Sequence, residues 1–153
     1  MSVTVNHTGI TVKDLDQSVA MFRELFGFEI FSRASRDPAI ISAVTGVAGA
    51  RVEIAYMRNG VTNIELLCYS GPDERQDYRP RPCDLGSLHL AVNVTDMDAM
   101  LAKARKWPLV QVGDVIAIDQ GPNKGSRIVY MRTPDEGLII EMIEKVERPA
   151  DSR

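Results

Sequence analysis

Four side chains in this sequence have the types and settings for chemistry: His7, Glu65, His89 and Glu141. His7 and His89 are its only two histidines. Glu65 is flanked by Ile64 and Leu66-Leu67, and Glu141 by Ile140 and Met142-Ile143. A carboxylate set in such an apolar strand pays a heavy desolvation cost unless it is paired or bound to a cation. Two imidazoles and two carboxylates form a donor set for one divalent metal ion, with Zn, Ni, Co, Mn and Fe all acceptable, and bound water completing five or six coordination. A water position exchangeable for substrate is what metal catalysis requires. Taken singly, a strand histidine is ordinarily a core or rim residue and a strand glutamate faces solvent.

Their recurrence changes that reading. When residues 6–22 are set above 88–104, a shift of 82 positions, His7 falls on His89, Gly9 on Ala91, Val12 on Val94, Asp14 on Asp96 and Asp16 on Asp98. Farther on, Tyr56-Met57-Arg58 matches Tyr130-Met131-Arg132, and Glu65 falls on Glu141 after two extra residues in the second turn. The chain is two copies of one unit. Gly9 and Ala91, two residues after each histidine on the same strand face, leave space above the sheet.

The elements that must position these residues follow from periodicity. Each unit opens with a strand of alternating pattern, 6–12 and 88–94. An aspartate then caps a helix, Asp14 or Asp16 in the first copy and Asp96 or Asp98 in the second. The apolar stripe Leu15, Val19, Phe22 reappears as Met97, Leu101, Ala104. Gly27 ends the first helix and Pro108 stops the second. Three strands follow in each half, near 28–33, 51–57 and 62–69, then 109–118, 127–132 and 137–144. The turns Asn59-Gly60 and Pro134-Asp135-Glu136-Gly137 make hairpins of the last two strands in each half. The fold class is therefore α+β, with a βαβββ module at 1–69, a proline-rich polar linker at 70–85, a second module at 86–148 and a frayed tail at 149–153. Segment 34–50 is irregular and has room for a short helix.

The 153 residues suit one compact domain or two small modules sharing a core. With 44% apolar and 25% charged residues the chain is not disordered, and a net charge of -3 gives no long-range attraction for nucleic acid or an anionic membrane. No apolar run approaches the roughly 20 residues that span a bilayer. The opening segment lacks a basic stretch followed by an apolar core, so a cytoplasmic location is expected. Cys68 and Cys83 build no disulfide framework or zinc ribbon and fit a reducing compartment.

His7 in NHTGITVKDLDQSV, Glu65 in NIELL, His89 in GSLHLAVNV and Glu141 in RIVYMRTPDEGLIIEMIE together resemble the vicinal oxygen chelate superfamily. That superfamily includes glyoxalase I, methylmalonyl-CoA epimerase, bleomycin-resistance proteins and extradiol dioxygenases. The resemblance covers residues 6 to 145. It implies paired modules forming a half-open β-barrel, one divalent metal on His7, Glu65, His89 and Glu141, a small-molecule substrate and a homodimer. It also implies a lyase or isomerase that abstracts a proton next to a metal-bound carbonyl through an enediolate, with Glu141, or Glu65, as base. In the alternative Fe(II) dioxygenase reading, iron sits on His7, His89 and Glu141 and leaves Glu65 aside. A non-catalytic ligand-binding module is the third reading, and Tyr56, Tyr69, Tyr130 and Trp107 are its available aromatics.

Departures from the family pattern concern the substrate. Thr11 stands where glyoxalase I carries an arginine for the glutathione carboxylate, and Tyr69 where it carries an asparagine; losing a bidentate guanidinium argues against glutathione. Lys124, in a loop Gly121–Gly125 resembling the glyoxalase loop over the substrate, is a candidate for an anionic group. Thr11, Tyr69 and Lys124 are therefore the candidate substrate contacts. The epimerase family's extra glutamate has no counterpart in AVTGVAGA at 43–50; Glu53 is the nearest carboxylate.

Overall fold

The computed structural model describes residues 2–145. The chain divides into two compact units, Met1–Asp77 and Tyr78–Arg153, and the division falls inside the stretch 70–85 that the sequence marks as a linker. The tail at 149–153 lies outside the described residues.

The first unit runs β1 (Thr8–Thr11), α1 (Leu15–Phe26), β2 (Glu29–Ser35), α2 (Pro38–Thr45), β3 (Arg51–Asn59) and β4 (Thr62–Gly71). Its open sheet has the order β1-β4-β3-β2, with β1 parallel to β4 and the other pairs antiparallel. The last strand reaches two residues into the expected linker. Asp14 caps α1 by accepting from the Gln17 backbone N–H, and Gly27 ends it at φ 68°, the left-handed conformation that glycine adopts without a Cβ penalty. α1 buries Leu15, Val19, Phe22 and Phe26 against Ile64 and Leu66 of β4 and Ala55 and Met57 of β3, all under 10% exposed. Burial of a side chain the size of Phe22 contributes about 1.5–3 kcal/mol. The short helix in the irregular segment is α2, started by Asp37 with Pro38 at its first position.

The second unit runs β5 (His89–Val94), α3 (Met97–Ala104), β6 (Val110–Gln111), β7 (Ile116–Ala117), β8 (Arg127–Arg132) and β9 (Ile139–Glu144). Its sheet order is β5-β9-β8-β6, with β7 also pairing β8, and it too is open. Asp96 caps α3 through the Ala99 N–H.

Two expectations need correction here. The single strand at 109–118 is two short strands, β6 and β7, because Gly113 and Asp114 between them break the ladder. α3 ends at Ala104 rather than at Pro108; tight turns from Lys106 N–H to Lys103 C=O and Trp107 N–H to Ala104 C=O close it first.

Candidate metal centre and the family of the chain

Strand register fixes the relation between histidine and glutamate in each unit. In the first, Gly9 pairs with Glu65, so His7, two residues earlier, rises from the same face of the sheet as Glu65. The opposite face carries Ile64 and Leu66 under α1, so Glu65 stands on the face that the helix leaves open. His7 Nε2 lies 3.1 Å from Glu65 Oε2, and their side chains are 31% and 12% exposed. The second unit repeats this: Ala91 pairs with Glu141, and His89 Nε2 lies 3.1 Å from Glu141 Oε2. The small residue facing each glutamate keeps the space open. A Cβ at Gly9 would already come within 3.7 Å of Glu65 Oε2.

This donor chemistry fits a cation. Two ligand atoms about 2.1 Å from one ion stand about 3.0–3.4 Å apart at octahedral to tetrahedral angles, which is the spacing found in each pair. His7 Nδ1 donates to Asn6 Oδ1 at 2.7 Å. In a neutral ring that bond turns a lone pair on Nε2 toward the Glu65 carboxylate. Two acceptors that close are held by a cation between them, a proton or a metal ion. Among the described residues no three His, Cys, Asp or Glu side chains gather as a metal cluster, so each unit supplies a pair.

A tyrosine completes each pair. Tyr56 is the strand partner of Glu65 and Tyr130 of Glu141. Tyr56 packs edge-on against His7, with ring centroids 5.7 Å apart, and Tyr130 packs the same way against His89 at 5.2 Å. Neither tyrosine was singled out by sequence reasoning for this role, although the repeated Tyr-Met-Arg carried the signal. The Tyr56 hydroxyl hydrogen-bonds Glu65, which, with burial, raises its pKa above the ordinary phenol range, while Arg36 pulls it down. For Tyr130, burial first and the Glu141 charge second push the phenol up. Asn6 was also missed; a hydrogen bond to the neighbouring ring has no sequence signature.

The remaining candidates are placed less centrally. Thr11 ends β1 exposed, on the alternation shared with His7 and Gly9. Tyr69 is half-buried on β4, on the alternation shared with Glu65. Lys124 is exposed in a turn closed by its own N–H to the Gly121 carbonyl. Glu53 pairs with Cys68 in β3–β4, an odd step from Tyr56 and Glu65, and so lies on the α1 side of the sheet. There it accepts from Arg33 Nε at 2.8 Å, while Arg33 also binds Asp16. It does not supply the missing carboxylate. Burial pushes the Cys68 thiol up, away from nucleophilic use.

With this geometry in place, relatives can be compared. The model of the glyoxalase/bleomycin resistance protein/dioxygenase superfamily matches residues 6–130. The chain belongs to this superfamily. Within it, the chain is similar to 2-epi-5-epi-valiolone epimerase from Actinomyces sp., at 41% identity over 147 residues, covering 93% of this chain and 79% of the relative. Among solved structures, a glyoxalase family protein from Bacillus cereus superposes with a TM-score of 0.82 at 29% identity, covering 96% of this chain and 97% of that one. A fosfomycin resistance protein from Listeria monocytogenes, solved with Mn(II) and sulfate, shares the fold at TM-score 0.59 and 14% identity, over 95% of each chain. Among the described residues of this superfamily member, no helix is long and apolar enough to cross a membrane.

Proposed function

We propose that this glyoxalase-superfamily chain is a metal-dependent epimerase that inverts a stereocentre next to a ketone. The observation that carries this is the duplicated His–Glu pair with cation spacing, His7 with Glu65 and His89 with Glu141. The similarity to an epimerase whose name specifies a ketone supports the reaction type. When bound, a divalent cation supplies Lewis-acid stabilisation of the oxyanion that develops as the neighbouring C–H ionises, an effect of several kcal/mol.

The two carboxylates take different roles. Glu65 is tied by His7 and by Tyr56, which Arg36 steadies in turn. Among the described residues Glu141 has one polar partner, His89. Glu141 is therefore the freer group and serves as the base; Glu65 stays a fixed donor. Glu141 takes the proton from the carbon next to the carbonyl, and a solvent-derived proton returns on the opposite face, giving inversion. Thr11, Tyr69 and Lys124 are assigned to substrate contact, and the working assembly is a cytoplasmic homodimer, tested by sedimentation equilibrium.

The test is solvent exchange. Metal-loaded protein incubated in D2O with 2-epi-5-epi-valiolone, and separately with a phosphate ester of it, incorporates deuterium next to the carbonyl of at least one. Glu141→Gln lowers that rate by about 10²–10⁴ while keeping its metal. Wild-type protein that holds metal and exchanges hydrogen in neither compound defeats the epimerase reading; a Glu141→Gln variant at full rate removes Glu141 from the base role.

A further inference from the structure

The open face of the first sheet carries more than His7 and Glu65. β2, the edge strand, shifts register between Ile30 and Ser32, which pair with Met57 and Tyr56. Phe31 is the extra residue of this bulge, and bulges re-aim side chains. Its ring turns onto Tyr56, with centroids 5.9 Å apart, and remains 53% exposed. The Arg58 guanidinium lies over that ring, its Cζ 4.7 Å from the centroid. Arg36 sits over Tyr56 at 6.0 Å. The result is a ledge of two aromatic rings and two guanidiniums beside the His7–Glu65 pair.

Among the described residues no carboxylate lies in ion-pair reach of Arg36 or Arg58, not even Glu29, the strand partner of Arg58. Among these residues Arg58 spends only Nε, donating to Asn63 Oδ1 at 2.9 Å, and keeps its two terminal nitrogens. Asn63 in turn donates to the Asn6 carbonyl, which locks the arrangement to the residue that orients His7. The repeat supplies a control. Arg132, the counterpart of Arg58, turns a terminal nitrogen to the Pro80 carbonyl at 3.0 Å, and its Nε is buried. The same Tyr-Met-Arg is used structurally in one unit and left open in the other.

We propose that this ledge binds an oxyanion of the substrate, a phosphate or carboxylate group, with Arg58 as the direct contact, Phe31 as its platform and Arg36 as the flanking charge. A guanidinium held over an aromatic ring with its terminal nitrogens open is positioned for bidentate oxyanion recognition. The assignment rests on the reading of His7 and Glu65 as the reacting end, because it makes the ledge the place where the substrate's remote group is held.

The test reads the ledge without turnover. The full chain is titrated with orthophosphate, and separately with acetate, while amide and arginine Nε–H signals are followed by NMR. Saturable shifts at Phe31, Tyr56, Arg36 and Arg58 are expected, and the tighter of the two anions identifies the group. Arg58→Gln weakens binding roughly tenfold or more. Phe31→Leu, which keeps the bulk and removes the ring, weakens it severalfold, and Arg23→Gln on α1 leaves it unchanged. Absence of saturable shifts with both anions, or affinity retained in both Arg58→Gln and Phe31→Leu, overturns the proposal. Because no metal or substrate is involved, that failure is separate from loss of deuterium exchange, which would strike the epimerase reading alone.

Discussion

Asn6 is the residue on which the first half of the site turns. Its Oδ1 accepts from His7 Nδ1, selecting the tautomer that presents Nε2 to a cation. Losing such a partner typically weakens metal binding by about 10–100-fold. Asn6→Ala is expected to show that loss in a Mn(II) titration, with Asn6→Asp, which retains an acceptor, close to wild type; equal affinities in all three proteins would remove Asn6 from the site. The second half has Leu88 in the matching position, so no such bond orients His89 from there. Residue types and spacing made the two His–Glu pairs legible, because each member stands out against an apolar strand and recurs in the repeat. Asn6, Tyr56 and the Phe31 ledge were not legible as parts of the site. The first depends on a side-chain rotamer, the second on cross-strand pairing, and the third on a bulge that alternation cannot reveal.

At the scale of elements, α3 depends on an ion pair from outside itself. Glu144 Oε1 accepts from the Met97 N–H at the start of the helix, and both its oxygens bind Arg127, which also reaches Asp98. Arg127 first, and the Met97 N–H second, hold the Glu144 carboxyl below the ordinary carboxylate range. A carboxyl depressed in the folded state contributes stability above its unfolded pKa and loses that contribution as pH falls. Unfolding temperature is therefore expected to drop as pH falls below about 4.5, and Glu144→Gln, less stable at neutral pH, is expected to flatten this acid limb; an unchanged limb would relieve Glu144 of the role. The helices themselves were readable from their caps and stripes, since Asp14, Asp96 and Gly27 act through local backbone geometry. The β6–β7 break was not, because the apolar residues on both sides of Gly113-Asp114 keep a strand-like composition.

For the whole molecule, duplication is the organising fact. Two units with equivalent β-strand registers each offer one imidazole and one carboxylate 3.1 Å apart. Duplication was legible because equivalent residues recur in the same order, at a shift of 82 from His7 to His89 and of 74 from Tyr56 to Tyr130. How the copies have diverged is written in the contacts of the described residues: Arg58 open against Arg132 capped, and Glu65 tied by His7 and Tyr56 against Glu141 tied there by His89. The most direct test of the account is a calorimetric Mn(II) titration of chelator-stripped protein beside His7→Ala, Glu65→Gln, His89→Ala and Glu141→Gln. The account predicts saturable Mn(II) binding in the wild type and in Glu141→Gln, with affinity weakened in the variants and most severely in the histidine variants. Full affinity retained in all four variants would show that neither His–Glu pair holds the ion, and would contradict it.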